Sequence, residues 1–493
     1  LAEARDNPAL FDEFRKKMAR RARGFDAPYA CVECVEAAVS KPFAEGLAFE
    51  RASFLKLVAS DQSKAQRHAF FAEREVAKIP DVPKGTPTQP VDTAAVIGCG
   101  TMGGGIAMNF ANAGIPVTVF EVSQEALDKG MATIRKNYAA TVSKGRLSQE
   151  AVDERLGLIS TTLDYGDLAQ TDVVIEAVFE NMDLKKEVFG TLDATCKPET
   201  ILATNTSTLD VDEIASATSR PDKVIGTHFF SPANVMKLME NVRGKASSAE
   251  TIATIMGLSK RIGKIGVLVG VCDGFVGNRM LYAYRRQADF LLEEGATPQQ
   301  IDKVIYDFGL PMGPFTMADL AGLDVGWRIR QGQAATRPKH LRYSTVADRI
   351  CELGRFGQKT GAGWYRYEAG NRTPIPDPEI EQLIVSISQE QGITRREITD
   401  QEILERCMYP LVNEGAKILE EGLALRASDI DVVWMNGYGF PRFRGGPMFW
   451  ADLVGVQTIY EVMSRLHDEH GDWLEPAPLL KRLADEGKGF GDL

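Results

Sequence analysis

Histidine is scarce in this chain, with five in 493 residues, and His228 is one of them. It ends the apolar run KVIG inside the stretch GTHFFSPANVMKLMEN. Glu240 follows after Ser231 and Pro232, a pair that turns the chain. A strand that ends in histidine, reverses and returns with a carboxylate can bring the two side chains together. Such a pair is a general base with the group that orients it. A hydrogen-bonded core histidine beside an unrelated surface glutamate gives the same pattern. The stretch alone leaves both readings open, so the elements around it must decide.

A second chemical pattern lies upstream. The apolar run TAAVIG is followed at once by Gly98, Gly100 and Gly103 in GCGTMG, then by a helical pattern to Ala113 and a second run, IPVTVFE, ending in Glu121. Strand, glycine turn, helix, strand and acid are the parts of a dinucleotide site. Gly98 permits the tight turn, Gly100 lets backbone approach a pyrophosphate, and Gly103 allows close helix–strand packing. The helix N-terminus beginning near Met102 faces the phosphates. Glu121 can accept hydrogen bonds from the adenosine ribose, and its charge would repel a 2′-phosphate. NAD is therefore expected rather than NADP.

The alternation continues with DVVIEAVFE, ILATNTS, KVIGTHFF and IGVLVG, separated by helix-like segments. Such a pattern builds a mostly parallel sheet with helices on both faces. Ligands bind beyond the carboxyl ends of its strands. Glu180, Asn205, Ser207 and His228 each stand just past a strand-like run, which favours the catalytic reading of the His228 stretch.

The remainder of the chain bounds the function. Charged residues at 25% and hydrophobic ones at 44% are ordinary for a globular protein, and the length suggests about three domains. No apolar stretch of membrane-spanning length occurs. The net charge of −11 argues against nucleic acid as a partner. The seven cysteines have no disulfide-framework spacing. Cys31 and Cys34 form a CxxC in helical company, where a buried stripe is expected rather than zinc, and no metal is expected elsewhere. Reduced thiols, and a C-terminal GFGDL that matches no peroxisomal address, lead to the expectation of a cytoplasmic protein. Residues 1–79 read as amphipathic helices, and KIPDVPKGTPTQPVD as a linker or strap. From Asp273 the pattern turns helical and repeats: residues 279–324 parallel 406–455, sharing LEEG, ID, GP and ADL, with Glu405 in the second copy where the first has Asn278.

With these motifs in hand, the chain resembles the 3-hydroxyacyl-CoA dehydrogenase family. More narrowly, it resembles the dehydrogenase part of multifunctional fatty-acid β-oxidation enzymes of the peroxisomal-type bifunctional branch. The resemblance runs from about Ala69 to the C-terminus, through HAFFAER, VIGCGTMGGGIA, IEAVFENMDLKK, TNTSTLDVDEIA, IGTHFFSP, KIGVLVG, GFVGNRM, MGPF, GRFGQKTGAGWY and GGPMF. It implies that His228 is the general base and Glu240 its partner, that Ser207 and Asn278 hold the substrate 3-oxygen, and that Glu180, Lys185, Asn205 and Lys359 line the NAD site. One departure is Ser231, where single-function members commonly have Asn; the multifunctional branch often has Ser. The resemblance also implies an upstream enoyl-CoA hydratase module, of which residues 1–90 look like the tail and a linker.

Four parts are expected: a helical remnant of that module with its linker (1–91), an α/β Rossmann-type NAD-binding domain (92–272), a first all-α C-terminal domain (273–370) and its degenerate duplicate (371–493). The expected activity is NAD-dependent oxidation of an (S)-3-hydroxyacyl-CoA thioester, between the strand tips and the first helical repeat. A sister enzyme acting on another hydroxy acid and a non-catalytic NAD-binding protein are the alternatives. Because the duplication can satisfy a helical interface within one chain, a monomer is expected.

Overall fold

A computed structural model of the chain describes residues 4–5, 7–335 and 337–493. The chain packs as two compact units, neither of them one continuous stretch. One holds residues 70–279 and 418–438, the other residues 1–69, 280–417 and 439–493.

The first unit is built on an eight-stranded sheet: β1 (Ala94–Ile97), β2 (Val117–Phe120), β3 (Ile159–Thr162), β4 (Val173–Glu176), β5 (Ile201–Thr204), β6 (Val224–Phe229), β7 (Leu238–Arg243) and β8 (Ile265–Gly270). Their order is β3-β2-β1-β4-β5-β6-β7-β8. Every pairing is parallel except β6 with β7. In β1, β4 and β5 every residue is buried, which is why they read as unbroken apolar runs. Two strands had no such signature. β3 is an edge strand with two exposed central residues. β7 carries the buried polar residues Glu240 and Asn241.

Local capping sets the helices between the strands. Ser123, Asn181 and Ser248 each accept a hydrogen bond from the backbone N–H three residues on, starting the helices Gln124–Val142, Met182–Thr195 and Ala249–Arg261. The Pro-rich segment after Lys78 is a strap on this unit: Gln89 N–H donates to Thr254 Oγ1 (2.9 Å), and the Val91 carbonyl accepts from Arg261 (2.6 Å). Residues 418–438 join the unit at the sheet edge, where Gly270 N–H donates to the Leu423 carbonyl (2.8 Å) and Val269 bridges Ala424.

In the second unit the repeat appears as matching helices. Gly277–Glu294, Pro298–Phe308, Pro314–Ala321 and Leu323–Gly332 are followed by Asp400–Glu420, Ala427–Val433, Pro447–Val454 and Val456–His470. Of these helices, residues 277–279 and 418–420 and the whole of Ala427–Val433 are counted with the first unit. Equivalent aspartates do equivalent work. Asp319 accepts from the backbone of Trp364 and Tyr365, and Asp452 from that of Phe490 and Gly491. Fully buried Arg406 is neutralised by Glu294 and also donates to Gln287. Glu294, Glu402 and His470 come within ligand reach of one another. Arg406, Arg342 and Arg396 already hold the two carboxylates.

The expected buried cysteine stripe is not found: Cys31 is exposed and Cys34 half-buried, both as free thiols. Their helix Ala27–Ser40 turns other residues, Val32 and Ala37, inward. No described helix is long and apolar enough to cross a membrane.

Candidate active site

The glycine turn has the geometry its spacing requires. Gly98 follows β1 with φ +98°, a conformation open to glycine at little cost. Gly100 precedes the helix Thr101–Asn112, and a Cβ there would meet no atom within 4 Å. At Gly103 a Cβ would lie 1.9 Å from the Gly98 carbonyl oxygen. The helix therefore packs hard on the turn while the space above Gly100 stays open to a diphosphate. Met102 is half-buried in the first helical turn. Glu121, at the tip of β2, accepts from Cys99 N–H (2.8 Å) and Val122 N–H (3.1 Å), which holds its carboxylate beside the turn. These residues fit NAD.

The two glycines separate experimentally. Gly100→Ala is expected to fold normally and weaken NADH binding by about tenfold or more, a change of about 1.4 kcal/mol per decade. Gly103→Ala is expected to lose roughly 1–3 kcal/mol of stability from the backbone overlap. NADH titration and urea unfolding of both variants check the contrast.

At the tips of β4 and β5, a buried carboxylate organises the floor. Glu176 accepts from Lys185 Nζ (2.7 Å), Val178 N–H (2.7 Å) and Thr204 Oγ1 (2.7 Å). Lys185 also donates to the Asn205 carbonyl (3.3 Å) and lies 3.7 Å from Glu180. Lys185 was expected to line the cofactor site, but its side chain has no exposed surface. The ion pair with Glu176 holds it inside, in reach of Glu180 and the Asn205 carbonyl. Glu176 itself escaped the sequence reading, although an acid inside an apolar run is a recognisable signal.

Glu180 accepts from Thr206 Oγ1 (2.6 Å), Ser207 N–H (2.8 Å) and Ser207 Oγ (3.1 Å), fixing the turn that carries Ser207. Burial disfavours its charge, but Lys185 and these hydrogen bonds outweigh burial and hold its carboxyl below the ordinary glutamate range. Asn205 accepts from Phe229 N–H (3.0 Å), tying the β5 tip to the end of β6.

His228 and Glu240 are direct cross-strand partners in the antiparallel β6–β7 pair, so their side chains share a face. Nδ1 of His228 lies 2.7 Å from Oε2 of Glu240, and the glutamate has no exposed surface. A carboxylate only accepts, so Nδ1 carries the proton and the Nε2 lone pair is left for a substrate. The other oxygen of Glu240 accepts from Gly277 N–H (2.9 Å), which ties the His228–Glu240 pair to the start of the helix bearing Asn278. The rings of Phe230 and Phe275 lie 4.5 and 5.7 Å from the imidazole and keep it in apolar surroundings. Phe275, with φ +48°, is the non-glycine residue with positive φ among those described, a strained backbone beside the His228 imidazole. In the loop between β6 and β7, Ser231 and Pro232 precede Ala233, whose carbonyl accepts from Asn109 Nδ2 (3.1 Å) and from buried Lys264.

One unit thus brings together Gly98, Gly100, Met102, Gly103, Glu121, Glu180, Asn205, Ser207, His228, Glu240 and Asn278. Lys359 belongs to the other unit, where it pairs with Asp324.

The chain matches the family model described as the 3-hydroxyacyl-CoA dehydrogenase NAD-binding domain over residues 93–272. The model for the C-terminal domain of the same family matches over residues 274–367 and again over 403–490, the two copies of the helical repeat. The chain is 47% identical to the peroxisomal bifunctional enzyme of Cavia porcellus, over 97% of this chain and 68% of that one. It is 37% identical to a peroxisomal fatty acid beta-oxidation multifunctional protein of Arabidopsis thaliana, over 99% of this chain and 68% of that one. Among solved structures, the dehydrogenase part of multifunctional enzyme 1 from C. elegans aligns with a TM-score of 0.63 at 33% identity, covering 84% of this chain and 96% of its own. A 3-hydroxybutyryl-CoA dehydrogenase from Escherichia coli aligns with a TM-score of 0.71 at 28% identity, covering 81% and 99%. The expectation of a cytoplasmic protein is overturned, because the Cavia porcellus and Arabidopsis thaliana relatives are peroxisomal by name. Cysteine usage distinguishes only oxidising from reducing compartments, and could not have carried that assignment.

Proposed function

This chain belongs to the 3-hydroxyacyl-CoA dehydrogenase family, and from that premise we propose that His228, oriented by Glu240, is the general base of its reaction. The activity is NAD-dependent interconversion of 3-hydroxyacyl-CoA and 3-oxoacyl-CoA in fatty-acid β-oxidation. The observation that carries the assignment of the base is the 2.7 Å contact between His228 Nδ1 and a fully buried carboxylate.

Oxidising a secondary alcohol requires that the hydroxyl proton leave as hydride departs from carbon. NAD bound at the glycine turn supplies the hydride acceptor. Nε2 of His228 takes the proton, and Glu240 keeps the other nitrogen protonated and stabilises the imidazolium that forms. Ser207 and Asn278 hold the 3-oxygen as it changes from hydroxyl to carbonyl. Gly98, Gly100, Met102, Gly103, Glu121, Glu180 and Asn205 line the cofactor site, with Lys185 supporting it from within. The substrate alcohol has the S configuration. An upstream hydratase module is the further partner in the longer polypeptide, a reading supported by relatives that are bifunctional or multifunctional by name and extend beyond the 68% matched here.

Acetoacetyl-CoA with NADH tests the assignment. NADH is expected to be consumed with saturation in thioester, and no consumption would sink the assignment. The same assay reads the role of Glu121. Two like charges about 5 Å apart at an effective dielectric of about 20 repel by roughly 3 kcal/mol. On that basis kcat/KM with NADPH is expected to be lower by roughly a hundredfold, and equal use of the two cofactors would contradict the role of Glu121.

A further inference from the structure

Asn278 carries a group whose two ends are nearly the same shape and opposite in function. Its carbonyl oxygen accepts hydrogen bonds and its amino group donates them. A 3-hydroxyl can satisfy either end, but the carbonyl product and the developing negative charge can only accept. For Asn278 to serve the reaction, Nδ2 must face the substrate and Oδ1 must be held elsewhere.

Tyr438 does the holding. Its hydroxyl donates to Asn278 Oδ1 at 2.8 Å. The ring is itself immobilised on three sides. It stacks on Trp434 at 4.6 Å and 24°, and meets the edge of Phe230 at 5.4 Å and 82°. On the third side it covers Gly277, where a Cβ would lie 2.5 Å from Tyr438 Cε2 and 2.6 Å from its hydroxyl oxygen. Gly277 is thus the residue whose N–H binds Glu240 and whose missing side chain admits the tyrosine. Phe230, on which Tyr438 rests, is also the ring 4.5 Å from His228. Tyr438 comes from far along the chain, at the end of a π-helical turn, Trp434–Tyr438, that continues the helix Ala427–Val433. Turns of this wider kind recur at functional sites. The segment is fixed to the sheet through the Gly270–Leu423 hydrogen bond.

We propose that Tyr438 is a positioning residue for the dehydrogenase reaction, its hydroxyl fixing the Asn278 carboxamide so that Nδ2 donates to the substrate 3-oxygen. The inference rests on the reading of Asn278 as the residue that binds that oxygen.

A double-mutant cycle on the full chain, with acetoacetyl-CoA and NADH, tests it. Tyr438→Phe removes one hydroxyl and keeps the ring. It is expected to lower kcat about five- to tenfold, the worth of one neutral hydrogen bond, with the NADH dissociation constant and the melting temperature unchanged. In an Asn278→Ala background the same change is expected to cost nothing further. Equal fractional losses in both backgrounds would show that Tyr438 acts independently of Asn278 and would overturn the inference. Wild-type kcat in Tyr438→Phe with an impaired Asn278→Ala removes the inference alone; wild-type kcat in Asn278→Ala removes the underlying reading as well. Asn278→Asp gives a second route that leaves Tyr438 in place. Its carboxylate accepts from the tyrosine but offers no donor, so kcat is expected to be no better than in Asn278→Ala. A kcat near wild type in Asn278→Asp would refute the donor role.

Discussion

Replacing His228 with Gln is expected to lower kcat for acetoacetyl-CoA reduction by about 10²–10⁴-fold, the range general acid–base catalysis contributes, while NADH binds as before. Glutamine fills much of the same space but cannot accept and return a proton near neutral pH. In the direction assayed, the imidazolium donates its Nε2 proton to the forming alkoxide, and that donor is lost. Cofactor affinity is insulated because the glycine turn lies at the tip of β1, with β4 and β5 between β1 and β6. Steady-state rates at saturating NADH, with a fluorescence titration of NADH on the same preparation, give both quantities. A variant that keeps near-normal kcat would mean that His228 is not the acid–base group.

The second large effect is expected at Glu240. Its two oxygens serve two different donors, His228 Nδ1 at 2.7 Å and Gly277 N–H at 2.9 Å, and the side chain has no contact with solvent. Glu240→Gln keeps the shape but leaves one acceptor oxygen for two donors. If the amide nitrogen turns to Nδ1, it favours the tautomer protonated at Nε2, and the base is lost. Loss of the corresponding carboxylate in serine proteases costs about 10⁴-fold through the same tautomer error, so a loss of about 10²–10⁴-fold in kcat is expected here. If the oxygen turns to Nδ1, Gly277 N–H is left buried beside a donor, at a cost of roughly 1–3 kcal/mol in stability. Measuring kcat and the urea midpoint together distinguishes the two. A variant unchanged in both would refute the account of the pair.

The parts of this site legible in sequence are those where burial and chemistry leave the same mark. β1 and β2 read as strands because both faces are covered, and the three glycines read as a turn because each meets a different steric demand. His228 and Glu240 are expected to meet where a strand reverses at Ser231 and Pro232, and they face each other in the antiparallel β6–β7 register. β7 was hard to see because Glu240 and Asn241 interrupt its apolar pattern, and both are buried polar groups whose partners lie far along the chain. β3 was hidden for the opposite reason, as a short edge strand with nothing apolar at its centre. Lys185 was placed at the right end of the sheet and on the wrong side of its surface, because sequence does not show that Glu176 draws it inward. Tyr438 left no signal at all. It lies 160 residues from Asn278, in a segment that belongs by sequence to the second helical repeat and by packing to the sheet.

The most direct measurement is a crystal structure of the protein with NAD and acetoacetyl-CoA bound. The 3-oxygen of the thioester is expected within hydrogen-bond reach of His228 Nε2, roughly 2.6–3.2 Å, with Asn278 Nδ2 as its second partner and the Nδ1–Glu240 contact kept. A 3-oxygen bound away from His228, with the imidazole still turned to Glu240 and touching no part of the substrate, would contradict it.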